Sequence, residues 1–305
     1  MKILGVNTLS HDSSICLMDH NGEYKHLICE NRNSFLDDEI IREAISFKPD
    51  VISYYENPWG KKQRQLFNGQ WINALTDELP TSYFKRIGLG GIPVKYQFHH
   101  ASHAATGFYT SGFDSAAVLV IDAIGEYTTT SVWHGKNNKL KMLESKDYPF
   151  SLGLFYSAFT QLLGFKPNAE EHKLYQLSLK GCDHKIDLYY KVKKYLRTNN
   201  HRGIRDWYEI INEEQKVNIA CYVQEIFEKE VAEYCESAKK LCGFPYEENL
   251  VIMGGCAANK KAAEQARRWF KNIYSHPRPG DVSSSIGAAM LINNPGKLSV
   301  HLDTD

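Results

Sequence analysis

The strongest constraint on the fold is a pattern that occurs twice along the chain. Residues 3–6, 14–18 and 24–29 are short apolar, β-prone runs, with Asn21-Gly22 between the second and third. Asn-Gly favours the positive backbone angles of a two-residue hairpin turn, so these runs predict a β-meander. Residues 37–47 place Ile40, Ile41, Ala44, Ile45 and Phe47 at helical spacing, Lys48-Pro49-Asp50 ends that helix, and residues 51–55 read as a further strand. The second occurrence runs through strands at 115–122, 128–135 and 139–148. A long helix follows over about 214–241, with Ala220, Val223, Phe227, Val231 and Tyr234 on one stripe and Gly243-Phe244-Pro245 as its stop. A strand over 249–253 then enters Gly254-Gly255, with a helix expected from about Ala257. Periodicity alone gives a mixed α/β chain. Residues 57–92 are polar, aromatic and glycine-rich without a clean period, and read as an irregular insertion carrying a helix or two.

At 305 residues the chain has room for one large domain or two lobes sharing a cleft. Its 36 basic and 36 acidic side chains cancel, so broad capture of nucleic acid or of an anionic membrane is not favoured, although a local basic patch is compatible with that balance. The apolar fraction of 43% belongs to a globular chain rather than a disordered one. Seven cysteines form no C-x-x-C pair and leave one over, the usage expected of cytosolic thiols. The first residues lack the apolar length of a signal peptide, and no run approaches the roughly 18 apolar residues of a membrane span. A cytoplasmic protein with no membrane partner is expected.

The chemistry-bearing residues begin with His99-His100-Ala101-Ser102-His103. On a helix, His99 and His103 lie four positions apart and share a face, a spacing at which two imidazoles grip one divalent cation. A solvated helix start is the competing reading. A strand that ends in Gly254-Gly255 and leads through Asn259 lets backbone N–H groups approach a phosphate or ribose, although a tight strand-to-helix turn has the same sequence. Asp122, with Gly125 in the loop behind it, is an acid at a strand end that orients a metal or phosphate, or caps a turn. Ser151 and Gly153 start a helix after Pro149 and offer N-cap donors. His11, beside Asp12, has the side chain suited to taking a proton near neutral pH. Glu171 and Lys173 alone are a charge pair.

These pieces come in a particular order: G-V-N-T-L-S-H-D over 5–12, D-A-I-G-E over 122–126, S-L-G-L-F-Y over 151–156, E-H-K over 171–173, G-G-C-A-A-N over 254–259, P-G-D over 279–281 and I-G-A-A over 286–289. Over about residues 2 to 291 the ordered set resembles the O-carbamoyltransferases of the nodulation-protein and antibiotic-tailoring type, whose amino-terminal part is related to the tRNA threonylcarbamoyl transferase. The resemblance implies two ribonuclease-H-like lobes of the actin-like ATPase (ASKHA) superfamily with a cleft between them. They are expected at 1–145 and 146–305, with a final helix near 283–293. It also implies site roles. His99 and His103 are joined by Asp281 as third ligand of Fe(II) or Zn(II). Asp122, Gly125, Ser151, Gly153, Glu171, Lys173, Gly254, Gly255 and Asn259 hold the nucleotide, with Lys173 on the leaving phosphate. His11 and Asp12 face the carbamoyl group.

The activity implied is transfer of a carbamoyl group from carbamoyl adenylate, made from ATP, to a hydroxyl of a small-molecule acceptor. Family members continue into a carboxy-terminal part that makes the adenylate, so a separate protein is expected to supply it here. The sequence departs from the family pattern at Ala123, where glycine is usual, and at Tyr175-Gln176, in place of a small pair. A threonylcarbamoyl transferase acting on tRNA and a catalytically degenerate nucleotide-binding partner protein are the alternatives. The former normally carries H-x-E-G-H, which His99 to His103 does not match. A sugar kinase of the same superfamily has no need of a histidine pair.

Overall fold

The computed structural model describes residues 1–29, 34–181, 183, 186–208, 211–243, 245–293 and 298–299. Cys182, Phe244 and the tail after 299 lie outside them; the six cysteines within them are free thiols.

Two sheets repeat one topology. In the first, β1 (Ile3–Asn7), β2 (Ser14–Met18), β3 (Tyr24–Ile28), β4 (Val51–Tyr54) and β5 (Val94–Tyr96) are ordered β3-β2-β1-β4-β5. β1 runs antiparallel to β2 and parallel to β4. In the second, β6 (Ser115–Ile121), β7 (Thr128–Lys136), β8 (Lys139–Asp147), β9 (Asn249–Met253) and β10 (Asn272–Tyr274) give β8-β7-β6-β9-β10, the same order, and β11 (Leu298–Ser299) pairs with β8. Again the first strand is antiparallel to the second and parallel to the fourth. The fold is thus α/β, two ribonuclease-H-like sheets of the actin-like ATPase type.

The expected lobe boundary at 145/146 falls inside β8 and is corrected: residues 115–147 form the meander of the second sheet. The reason is that β6 bonds to β9, more than a hundred residues later in the chain, rather than to any strand of the first sheet.

The helices are α1 (Asp38–Phe47), α2 (Pro58–Phe67), α3 (Trp71–Thr76), α4 (Pro80–Arg86), α5 (His99–Thr110), α6 (Leu152–Leu162), α7 (Glu171–Ser178), α8 (Ile186–Lys193), α9 (Glu213–Leu241), α10 (Lys260–Glu264) and α11 (Ser284–Asn293). α9 starts at a capping box, in which Asn212 Oδ1 accepts from Gln215 N–H and the Gln215 side chain accepts from Asn212 N–H. The insertion at 57–92 contains three helices; α2 begins at Pro58, with Asn57 Oδ1 accepting from Trp59 N–H. Lys62 Nζ donates to the carbonyls of Ala74 and Asp77, bracing α2 against the end of α3.

Two helices lie between the sheets. α5 packs Ala101, Ala104, Ala105 and Phe108 on Val118, Val120, Val251 and Met253 of the second sheet. α11 packs Ile286, Ala289 and Met290 on Ile3, Cys16, Met18 and Val51 of the first. Backbone meets backbone between the two helices, where a Cβ at Gly287 would overlap Ser102 O, and between β1 and α11, where one at Gly5 would overlap Ser285 O. Thr106 Oγ1 seals the crossing, donating to Ser283 O at 2.9 Å and accepting from Gly287 N–H at 2.9 Å. The opposite faces carry α1 and α4 on the first sheet and α6 and α9 on the second. Among the described residues no helix is long and apolar enough to cross a membrane.

Candidate functional site

The α5–α11 crossing sets the site. α5 begins at His99, so both imidazoles project from its first turns, and the short turn leading into α11 (Asp281–Ser283) brings Asp281 against them. Asp122 arrives from the end of β6. The ligating atoms of His99, His103, Asp122 and Asp281 all lie within 4.8 Å of one another. Asp122 Oδ2 is 2.9 Å from His99 Nε2 and 3.7 Å from His103 Nε2, and Asp281 Oδ1 is 3.3 and 3.1 Å from the same atoms. The two Nε2 atoms are 3.0 Å apart. Donors about 2.1 Å from a tetrahedral ion stand about 3.4 Å from each other. The observed separations bracket that value, and a set of two imidazoles and two carboxylates suits Fe(II) or Zn(II).

All four groups are buried, and their charges respond to each other. Burial opposes ionisation of Asp281 and Asp122, but hydrogen bonds and charge from His99 and His103 outweigh it and hold both carboxyls below the usual range. Burial likewise works against a charged His99 or His103, and the two carboxylates overcome it and raise both. Each carboxylate thus favours the charged form of the imidazoles beside it, and each imidazole that of the carboxylates.

His11 stands at the rim, its ring half-exposed, with Nδ1 2.9 Å from Asp12 Oδ2 and Nε2 3.5 Å from Asp281 Oδ2. The hydrogen bond to Asp12 raises its pKa most; partial burial opposes, the charges of Asp281, Asp12 and Asp122 add, and the value stands at about 9. These carboxylates thus favour the protonated form of the His11 ring.

Asp122 and Asp281 open onto a cavity of about 510 Å³, a size usual for small-molecule sites. Of the sequence candidates, His11, Asp12, Asp122, Gly153, Glu171, Gly255, Asn259 and Asp281 line it. A Cβ at Gly153 would press on the Asp122–Ala123 backbone, so α6 comes close there because it is glycine. Glu171 Oε1 accepts from Ser157 Oγ at 2.8 Å and Asn168 N–H at 2.6 Å, and Asn259 Nδ2 donates to Gln224 Oε1 at 2.9 Å.

Four candidates stand elsewhere. Lys173 does not line the cavity; its Nζ pairs with Glu170 at 2.6 Å, because on α7 a residue two positions from Glu171 points about 200° away. Ser151 Oγ is used inside the fold, accepting from Leu154 N–H at 3.1 Å and donating to Ala123 O at 2.6 Å. Gly125 packs on His99, and its carbonyl accepts from Arg64 Nη1. Gly254, at φ 91°, passes the Ile121 carbonyl too closely for any Cβ. The helix expected from Ala257 is a single 3₁₀ turn (Gly255–Ala258) before the five-residue α10, and Gly255 N–H already donates to Asp122 Oδ1 at 3.0 Å. This turn therefore offers neither a long helix dipole nor a free Gly255 amide to a phosphate.

Sequence reasoning missed Lys260, His172 and Cys256 in the lining, and gave Asp122 to the nucleotide rather than to the donor set. Lys260 directly follows the G-G-C-A-A-N run, which was the available signal.

The profile described as the carbamoyltransferase N-terminus matches residues 63–290, and the chain belongs to that family. An uncharacterized protein of Synechocystis is 34% identical over 229 residues, 66% of this chain and 36% of its own. An uncharacterized protein of Methanocaldococcus jannaschii is 26% identical over 304 residues, covering 88% and 47%. Nodulation protein NolNO of Sinorhizobium fredii is 25% identical over 218 residues, covering 66% and 31%. The chain thus spans 31% to 47% of the length of these relatives. Among solved structures, HypF of T. kodakarensis superposes with TM-score 0.58 at 14% identity, over 98% of this chain and 49% of that one. The activator of 2-hydroxyisocaproyl-CoA dehydratase from Clostridium difficile, with bound ADPNP, gives 0.51 at 12% identity, over 96% and 94%. At these identities the likeness is one of fold.

Proposed function

We propose that the chain transfers a carbamoyl group from carbamoyl adenylate to an acceptor hydroxyl, and that His99, His103, Asp281 and Asp122 hold a divalent Fe(II) or Zn(II). The observation that carries the reading is the convergence of these four donors, of which Asp122 and Asp281 line a cavity that His11 and Asp12 also line. A bound divalent ion supplies Lewis acidity toward the carbamoyl oxygen. His11 Nε2 takes the hydroxyl proton as the acceptor oxygen bonds to the carbamoyl carbon, and the bond from that carbon to the AMP oxygen breaks. For that role His11 must be neutral. A divalent ion held by Asp281 and Asp122 would offset the smaller contributions of those two charges, while Asp12, whose hydrogen bond is the largest and stays, would orient the ring. Glu171, Asn259 and Lys260 face the adenylate, with Lys260 in the place expected for Lys173.

The test supplies the purified chain with preformed carbamoyl adenylate, Fe(II) or Zn(II) and a panel of alcohols. The reading expects metal-dependent AMP release and an acceptor heavier by one carbamoyl group. Activity confined to threonylcarbamoyl adenylate overturns it, as does tight nucleotide binding with no metal uptake.

A further inference from the structure

The helix that carries both imidazoles has no cap of its own. α5 begins at His99, and the residue in the N-cap position is Phe98, which has no side-chain oxygen to accept from the first free N–H groups. Glu126, twenty-seven residues later and buried, takes that place. Its Oε1 and Oε2 accept from His99 N–H at 3.1 and 3.2 Å, and Oε1 also accepts from Asn57 N–H at 2.6 Å. The His99 ring lacks the usual second anchor. Metal-bound histidines generally donate their other ring N–H to a carboxylate or carbonyl, yet Nδ1 of His99 has no hydrogen-bond partner among the described residues. Apart from the Nε2 contact to Asp122, its position therefore depends on its backbone and on packing by Gly125 and by the Tyr55 ring, 5.4 Å away between centroids.

We infer that Glu126 is the positioning residue of the four-ligand centre. Through the His99 amide it fixes where α5 starts, and hence how far the two Nε2 atoms stand from Asp122 and Asp281. The same carboxylate ties the centre to the insertion, since Asn57 is the N-cap of α2 and Gly60 of that helix leaves room for the Glu126 stem. Arg64, a second buried group of α2, holds the neighbouring Gly125 carbonyl. Glu126 contacts no reacting atom in this account. The inference rests on the metal reading above.

The experiment compares the native chain with Glu126→Gln and Glu126→Ala by two measurements. Amide hydrogen exchange on the metal-free proteins reads the cap, and cobalt(II) titration followed by visible absorption reads affinity and coordination geometry. We expect Glu126→Ala to speed exchange at His99 and Asn57, to weaken cobalt binding by about 10- to 100-fold and to alter the absorption bands. Glu126→Gln, which keeps a carbonyl acceptor, should lose less, and it serves alone if the alanine variant does not fold. Native-like cobalt affinity and bands in the variants, with faster exchange at His99, make Glu126 a brace of the fold and overturn the inference. A native chain that takes up no cobalt instead ends the metal reading, and this inference with it.

Discussion

Asp122→Asn separates the two roles open to that residue. With both carboxylates ionised, the donor set carries two negative charges that a divalent ion would cancel; Asp122 is buried, and the Asp281 side chain is 10% exposed. Asparagine leaves the bound cluster with one uncompensated positive charge. Removing one partner of a buried ion pair costs about 3–5 kcal/mol, and an asparagine that keeps its oxygen on Gly255 N–H turns its NH2, which cannot ligate, toward the ion in place of Oδ2, so at least the lower end of that range is expected. About 3 kcal/mol is roughly a 100-fold loss of metal affinity. The fold should tolerate the change, because asparagine Oδ1 still accepts from Gly255 N–H, the bond that now spans 3.0 Å. Competitive zinc titration against a chromophoric chelator measures the affinity, and a melting curve on the metal-free protein measures the fold. An affinity within about twofold of native in a variant that melts normally would show that Asp122 is a turn brace and no ligand, refuting the four-donor assignment.

Other consequences follow from the same geometry. Because His11 is raised to about 9 from 6.5, its contribution to metal-free stability should be complete below pH 6.5 and fade as pH rises through 9; urea titrations across that range should show His11→Gln losing this slope. Lys260→Ala should weaken AMP binding several-fold by calorimetry, whereas Lys173→Ala, which breaks the surface pair with Glu170 and the contact over the Phe165 ring, should leave it unchanged. Gly287→Ala forces α11 away from the Ser102 carbonyl and should cost about 1–3 kcal/mol in denaturant midpoints, with reduced metal uptake because Asp281 moves with that helix; an unchanged midpoint would show that the crossing has slack.

The meanders were legible because strand and hairpin signals are local: the alternation of β-prone runs with Asn21-Gly22 and the stripe of α9 need only a window of neighbours. The i, i+4 spacing of His99 and His103 was legible for the same reason, since a helix alone brings such residues to one face. Glu171 and Lys173 mark the limit of that reasoning. Their motif suggested one shared site, but the phase of α7 turns the carboxylate inward and the ammonium out.

What the sequence determined by itself was thus the kind of element at most positions and the pairing of two imidazoles on one helix. The tertiary structure decided which sheet residues 115–147 join, since β6 finds β9 far along the chain. It also decided what completes the donor set. Asp281 reaches His103 across 178 positions because glycines at 5 and 287 let α11 slide between the first sheet and α5. No local pattern encodes such an approach; it exists only when two backbones pack without side chains between them.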